Sequence, residues 1–358
     1  MAKSILQKIN NLFGKNFFYF VIVIGLLAWI LITTKERIII HHHSPVEDFK
    51  AMVTVTDKTV SIKGSGSEGV FLENRNITLS PYKIGKYEVS FAFWKEIYDW
   101  ALMESPNKYE FQFLGQPGIF MSGTSSPDKI YRIPELETFY AKHNNKYNFV
   151  KCGEYPATMM TWRDAIVWCN ALSEKEGLNP VYFYKGEIIR TSTDIEKAEN
   201  PEVVLKNNGY RLPSEAEWEF AARGGDMQAE DWNFAFSGTD DTDRAGEYTW
   251  HLQNSSFLKS NLHEGLIDIH PIGQKKPNRL GLYDMSGNCW EWCFDRYNAR
   301  SIGNFTDPMN SVGHRYRIIK SGSVRNGLSF SMVKSWGFAP PVNPGYILSF
   351  RLAQTITE

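Results

Sequence analysis

Three periodicities divide the chain. Residues 17–34, FFYFVIVIGLLAWILITT, are an unbroken uncharged run, close to the roughly 20 residues that cross a bilayer core. Farther on, NITLSPYKIGKYEVS (76–90) alternates apolar and polar positions with the two-residue period of half-buried strand. From Ser90 the period lengthens: Phe93, Ile97, Trp100 and Ala101 recur at helical spacing, with Ser90 placed to cap them. A second helix is predicted after Thr161, with Trp162, Ala165, Ile166, Cys169 and Leu172 on its apolar side and Gly177 as its stop.

A third helix is expected in RLPSEAEWEFAARGG (211–225), where Ser214 and Glu217 have the spacing of a capping box. Pro213 fixes the entry and Gly224 permits a left-handed exit. Trp218, Ala221 and Ala222 are then expected to face the core, and Glu215 and Glu219 mainly the solvent. Between 103 and 150 no period is sustained and Pro, Gly, Asn and Tyr are dense, which predicts a long surface excursion. Residues 35–69 are polar and end in GSGSEG, the composition of a flexible tether.

Composition changes this picture in two ways. With 358 residues, 42% apolar and 14% aromatic, the chain can bury a large core, and 39 basic against 40 acidic residues argue against nucleic acid as a partner. Lys3, Lys8 and Lys15 precede the apolar run, whereas Lys35, Glu36 and Arg37 after it sum to one positive charge. That bias leaves residues 1–16 as a short cytoplasmic N-terminus and puts the remainder on the periplasmic or extracellular face. With no clear small-x-small cleavage site, 17–34 is expected to be a transmembrane signal anchor in contact with the membrane, a cleaved signal peptide being the alternative. No lipid-modified N-terminal cysteine is available, because the first cysteine is Cys152. Cys152, Cys169, Cys289 and Cys293 fit no zinc spacing but could pair in an oxidising compartment. The three histidines at 41–43 read as solvated linker.

Candidate chemistry concentrates in GLYDMSGNCWEWC (281–293). Asp284 and Glu291 are hard oxygen ligands bracketing the turn Ser286-Gly287-Asn288, a combination suited to a calcium-type cation. The alternative is a core turn anchored by Trp290 and Trp292, with the acids bonded to backbone amides. The acids of the 214–222 helix already have capping work, which leaves them poor candidates for proton transfer.

YPATMMTWRDAIVWCNALSEKEGLNPVY, GYRLPSEAEWEFAARGG, PIGQKKPNRLGLYDMSGNCWEWCFD and the closing RIIKSGSVRNGLSF and LSFRLA resemble, in order, the motifs of the formylglycine-generating enzyme (sulfatase-modifying factor) family over residues 70–354. The resemblance implies an α+β domain, a variant of the C-type lectin fold with little regular secondary structure. It also implies a structural Ca2+ held by the side chains of Asp284 and Glu291 and the carbonyls of Gly287 and Cys289. A further calcium site of the family has no match in GEYTWHLQNSSFLKSNLHEG. Active members carry two copper-binding cysteines five positions apart after a Gly-Ser turn; here the turn is Ser321-Gly322-Ser323 and those positions are Asn326 and Ser331. Neither supplies the thiolate that selects Cu(I), so no copper and no catalytic residue are expected. The family's bridge from the helix cysteine, here Cys169, would end at Leu352, which implies a buried free thiol at Cys169.

What remains is a lectin-like frame whose last segment is free to vary, similar in layout to lectin-fold relatives whose C-terminal segment is diversified. Val324, Arg325, Asn326, Leu328, Phe330, Met332, Lys334, Trp336, Phe338 and Tyr346 mix aromatic, apolar and basic side chains, the composition of a binding surface for a protein or glycan ligand. The expected function is an anchored, extracytoplasmic, non-catalytic binding protein acting through 324–346. The alternatives are an oxidase with an atypical metal site and a structural subunit of a cell-envelope assembly.

Overall fold

In the computed structural model the described residues are 48–113, 115–117, 153–255, 269–298 and 300–357. The expected anchor at 17–34, the histidines at 41–43, Cys152 and most of the predicted excursion at 103–150 lie outside them. Among the described residues no helix is long and apolar enough to cross a membrane.

The helices follow their caps. α1 (Phe91–Met103) starts at Ser90, whose hydroxyl accepts from the Phe93 N–H at 3.3 Å. α2 (Trp162–Lys175) starts at a reciprocal box between Thr161 and Asp164, and Gly177 follows it at φ +70°. α3 (Ile195–Glu199) is short, and α4 (Glu215–Ala222) has the expected Ser214/Glu217 box with Gly224 at φ +85°. α1 and α2 bury their apolar sides against each other: Trp94 stacks on Trp168 at 5.6 Å, and Phe350 meets both rings edge-on.

Among the described residues, five small sheets accompany these helices. One orders β1 (Met52–Thr56), β4 (Tyr82–Gly85), β16 (Ala353–Thr355) and β10 (Tyr210–Arg211), so the last strand closes beside the early ones. A second, which carries the site, orders β14 (Gly337–Ala339), β13 (Arg317–Lys320), β11 (Trp290–Arg296) and β15 (Leu348–Ser349). β12 (Gly303–Thr306), β3 (Arg75–Leu79) and β2 (Val60–Lys63) form a third. The pair β5 (Gln116–Pro117) and β6 (Ala157–Thr158), and the triplet β8 (Glu187–Ile188), β7 (Tyr182–Tyr184) and β9 (Glu202–Val203), complete a mixed α and β architecture with few helices.

Two expectations need correction. The stretch expected as tether, 35–69, contains β1 and β2, which pair with β4 and β3 just after it; strands of five and four residues are too short for their alternation to carry much signal by itself. Gly64, read as part of a flexible run, is packed against neighbouring backbone, where a Cβ would stand 2.0 Å from the Leu72 carbonyl oxygen. Glu215 and Glu219, expected in solvent, are both buried. Glu219 accepts from Lys320, Arg223 and the Val70 N–H, and Glu215 pairs with Arg300, so long-range cations make burial of these carboxylates tolerable.

Candidate functional site

The loop between Asp284 and Glu291 is held by backbone geometry that few residues accept. Asp284, Gly287 and Asn288 have φ of +56°, +86° and +60°. At Gly287 a Cβ would lie 2.1 Å from the Trp250 carbonyl oxygen, which makes glycine obligatory there. Ser321, from the turn after β13, pins the loop: its hydroxyl donates to the carbonyls of Gly287 (2.9 Å) and Asp284 (3.1 Å).

Three carboxylates are buried around this loop, one of them absent from the sequence-based site. Asp284 accepts from the Gly273 N–H at 2.7 Å. Glu291 is gripped by Arg351, whose Nε and Nη2 donate to it at 2.6 Å each, and by the Trp218 indole N–H at 2.7 Å. Glu88 accepts from the Asn288 side-chain amide at 2.9 Å and the Cys289 N–H at 3.2 Å. Glu88 did leave a signal: it shares the parity of the buried Tyr82 and Ile84 in the strand-like run, where an acid is out of place. Burial, then the neighbouring Asp284 and Glu291, push the Glu88 carboxyl well above the usual carboxylate range. Burial raises Asp284 to about 6.

If a bound cation drew the protons from Glu88 and Asp284, the one guanidinium buried among the three acids in the described residues, that of Arg351, would leave an excess of two negative charges. Hard oxygens with that excess suit a divalent cation in chemistry. Among the described residues no three His, Cys, Asp or Glu side chains are arranged to hold a metal alone; a cation here would need the carbonyls of Gly287 and Cys289 as well.

The C-terminal segment divides. Val324 and Ser331 are buried, and Asn326 is structural: its side-chain oxygen accepts from the Trp290 indole N–H at 2.8 Å and the Ser323 hydroxyl at 2.6 Å. Leu328 lies in a single 3-10 turn, and Leu328, Met332, Lys334 and Trp336 are half-buried, with Lys334 2.6 Å from Glu68. Arg325 is exposed, as are Phe330, Phe338 and Tyr346 at 49%, 48% and 39%. The exposed rings do not form one patch. Phe330 meets Trp290 edge-on, whereas Trp336 and Phe338 both stack on Tyr297, at 5.5 and 4.8 Å, and Phe338 stacks on Tyr316 at 5.3 Å. Tyr297, Tyr316, His314 and Arg300 thus belong to the surface although they precede the segment. Pairing of β11 with β13 and of β13 with β14 brings them there, so local sequence had no signal for it.

The fold and this loop define a sulfatase-modifying-factor type of domain. The chain matches the sulfatase-modifying factor enzyme 1-like domain (FGE-sulfatase) over residues 41–356, and it belongs to that family. Relatives include the chaperone protein LppX of Paenibacillus barcinonensis, 31% identical over 68% of this chain and 72% of that protein. The formylglycine-generating enzyme of Thermomonospora curvata is 25% identical over 79% of this chain and 86% of that protein, and the inactive C-alpha-formylglycine-generating enzyme 2 of Bos taurus is 38% identical over 31% of this chain and 37% of that protein. Among solved structures, Treponema denticola variable protein 1 has the same fold with a TM-score of 0.59 at 24% identity, covering 85% of this chain and 95% of that one.

Proposed function

We propose that this chain is a non-catalytic member of its family, anchored through residues 17–34 on the outer face of a membrane, that binds a ligand with its C-terminal segment and the rings packed beneath it. The carrying observation is the exchange at positions 326 and 331. Where the family's oxidases have thiolates, Asn326 fastens Trp290 and Ser323, and Ser331 is a buried hydroxyl, while the same segment exposes Phe330 and Phe338. A relative named as inactive supports the non-catalytic reading, and a relative named as a chaperone supports a role in binding another protein. Calcium is part of the proposal: Asp284, Glu291 and Glu88 with the carbonyls of Gly287 and Cys289 would hold it, where it would offset the buried acids and stiffen the loop under β11.

The test is incubation of the metal-loaded protein with copper or iron, a cysteine-containing peptide and oxygen. No formylglycine should form; turnover would restore the oxidase reading. For the anchor, external protease on intact cells should degrade the domain and leave a membrane-embedded N-terminal fragment, and full protection would overturn the orientation.

A further inference from the structure

The second sheet ends at β14, and beyond it no strand pairs among the described residues. An end strand offers unpaired backbone N–H and C=O groups to an incoming chain. Beside this edge lies the ring cluster of Tyr297, Tyr316, Trp336 and Phe338. We infer that the β14 edge takes up an extended, acidic segment of another protein as an added strand, with the ring cluster receiving its apolar side chains. The inference rests on the binding role proposed above and names the class of its ligand.

Ring geometry and charge favour a peptide over a sugar. A sugar needs free ring faces, but here the faces are engaged: Tyr297 lies on Trp336 and Phe338, and Phe338 lies on Tyr316. The guanidinium of Arg300 stands 4.6 Å over Trp336, and that of Arg315 stands 5.4 Å over Tyr316. Edges, which carry the positive end of the ring quadrupole, are what remain for a ligand. Around them Arg315 and His314 are exposed, and Arg315 has no acidic partner among the described residues. The acids nearby are committed: Glu215 to Arg300, and Glu68 to Lys334. The rim is therefore net positive, and its complement is a segment bearing carboxylates. Strand addition supplies the main-chain bonds, and alternate side chains of the added segment reach the rings.

A random dodecapeptide display library selected on the full-length protein tests this. Enriched peptides should be acidic with alternating apolar residues. Arg315→Glu, an exposed change that leaves the core untouched, should weaken their binding about tenfold and flatten its salt dependence. Methylating alternate backbone nitrogens of a selected peptide should abolish binding, because an added strand must donate those bonds. No enrichment, neutral or basic winners, indifference to Arg315→Glu, or tolerance of the methylation would each overturn the inference. Glycan binding that Phe338→Ala removes would also overturn it while leaving the binding role of the segment intact. Turnover of the cysteine peptide would instead sink the non-catalytic reading itself.

Discussion

The same sheet builds opposite environments on an inner strand and on its edge strand. Around Glu291 on β11 the charges are buried, and Glu291 itself is answered: Arg351 and Trp218 hold the carboxylate, and Arg351 spends its remaining donors on the carbonyls of Gly85 and Tyr283. Around Phe338 on β14 the rings are stacked on one another but open to solvent, and the strand beyond is missing among the described residues. The first region is rigid because an unpaired buried charge is costly. The second tolerates change because its side chains already contact water.

The largest effect should come from breaking the first region. Arg351→Met leaves Glu291 buried without its counter-charge and should cost about 3–5 kcal/mol, read as a fall in the denaturant midpoint. If that change were as mild as a surface substitution, the contrast between the regions would collapse.

Next is the pH response of Asp295, buried beside Glu215 at the far end of β11. Burial, then Glu215, raise its carboxyl to about 7 from an ordinary value of 3.8. A folded-state value above the unfolded one means that the native state holds the proton more tightly. This contribution is therefore favourable at low pH and is lost as pH rises between about 4 and 7, by on the order of 3 kcal/mol. Stability of Asp295→Asn measured across that window should be flatter than that of the wild type by this amount, even after the loss of part of its bonding to the Asn310 and Glu215 N–H groups.

Calcium should add about 2.7 kcal/mol when free ion is a hundredfold above Kd. Chelation is expected to lower the melting temperature of the wild type, and Asp284→Ala should lower it too and remove most of the chelator response. Identical melting in calcium and in chelator after metal-free preparation would leave the loop as a turn held by Ser321, Trp290 and Arg351 alone.

The smallest effect sharpens the contrast within one segment. Val324→Ala deletes buried carbon and should cost about 2 kcal/mol. Phe338→Ser, a few residues on but half exposed, should change stability by less than about 0.5 kcal/mol while weakening ligand capture. Equal stability effects would mean that the ring cluster is core.

The sequence alone determined what depends on neighbours along the chain. The Ser90, Thr161 and Ser214 caps, the left-handed exits at Gly177 and Gly224, and the turn at Gly287 are set by residue type within a few positions, because capping bonds and backbone sterics are local. Cys169, expected as a buried free thiol, is buried and unbridged, with burial pushing its thiol up. The tertiary structure decided everything that depends on charges and rings from distant segments. It put Glu215 and Glu219 inside by bringing Arg300 and Lys320 to them, added Glu88 to the acidic loop across about two hundred residues of chain, and split the 324–346 segment by pairing β13 with β14. Long-range pairing carries no period in the sequence: a carboxylate's burial is set by whether a cation arrives, and a ring's exposure by whether another strand covers it.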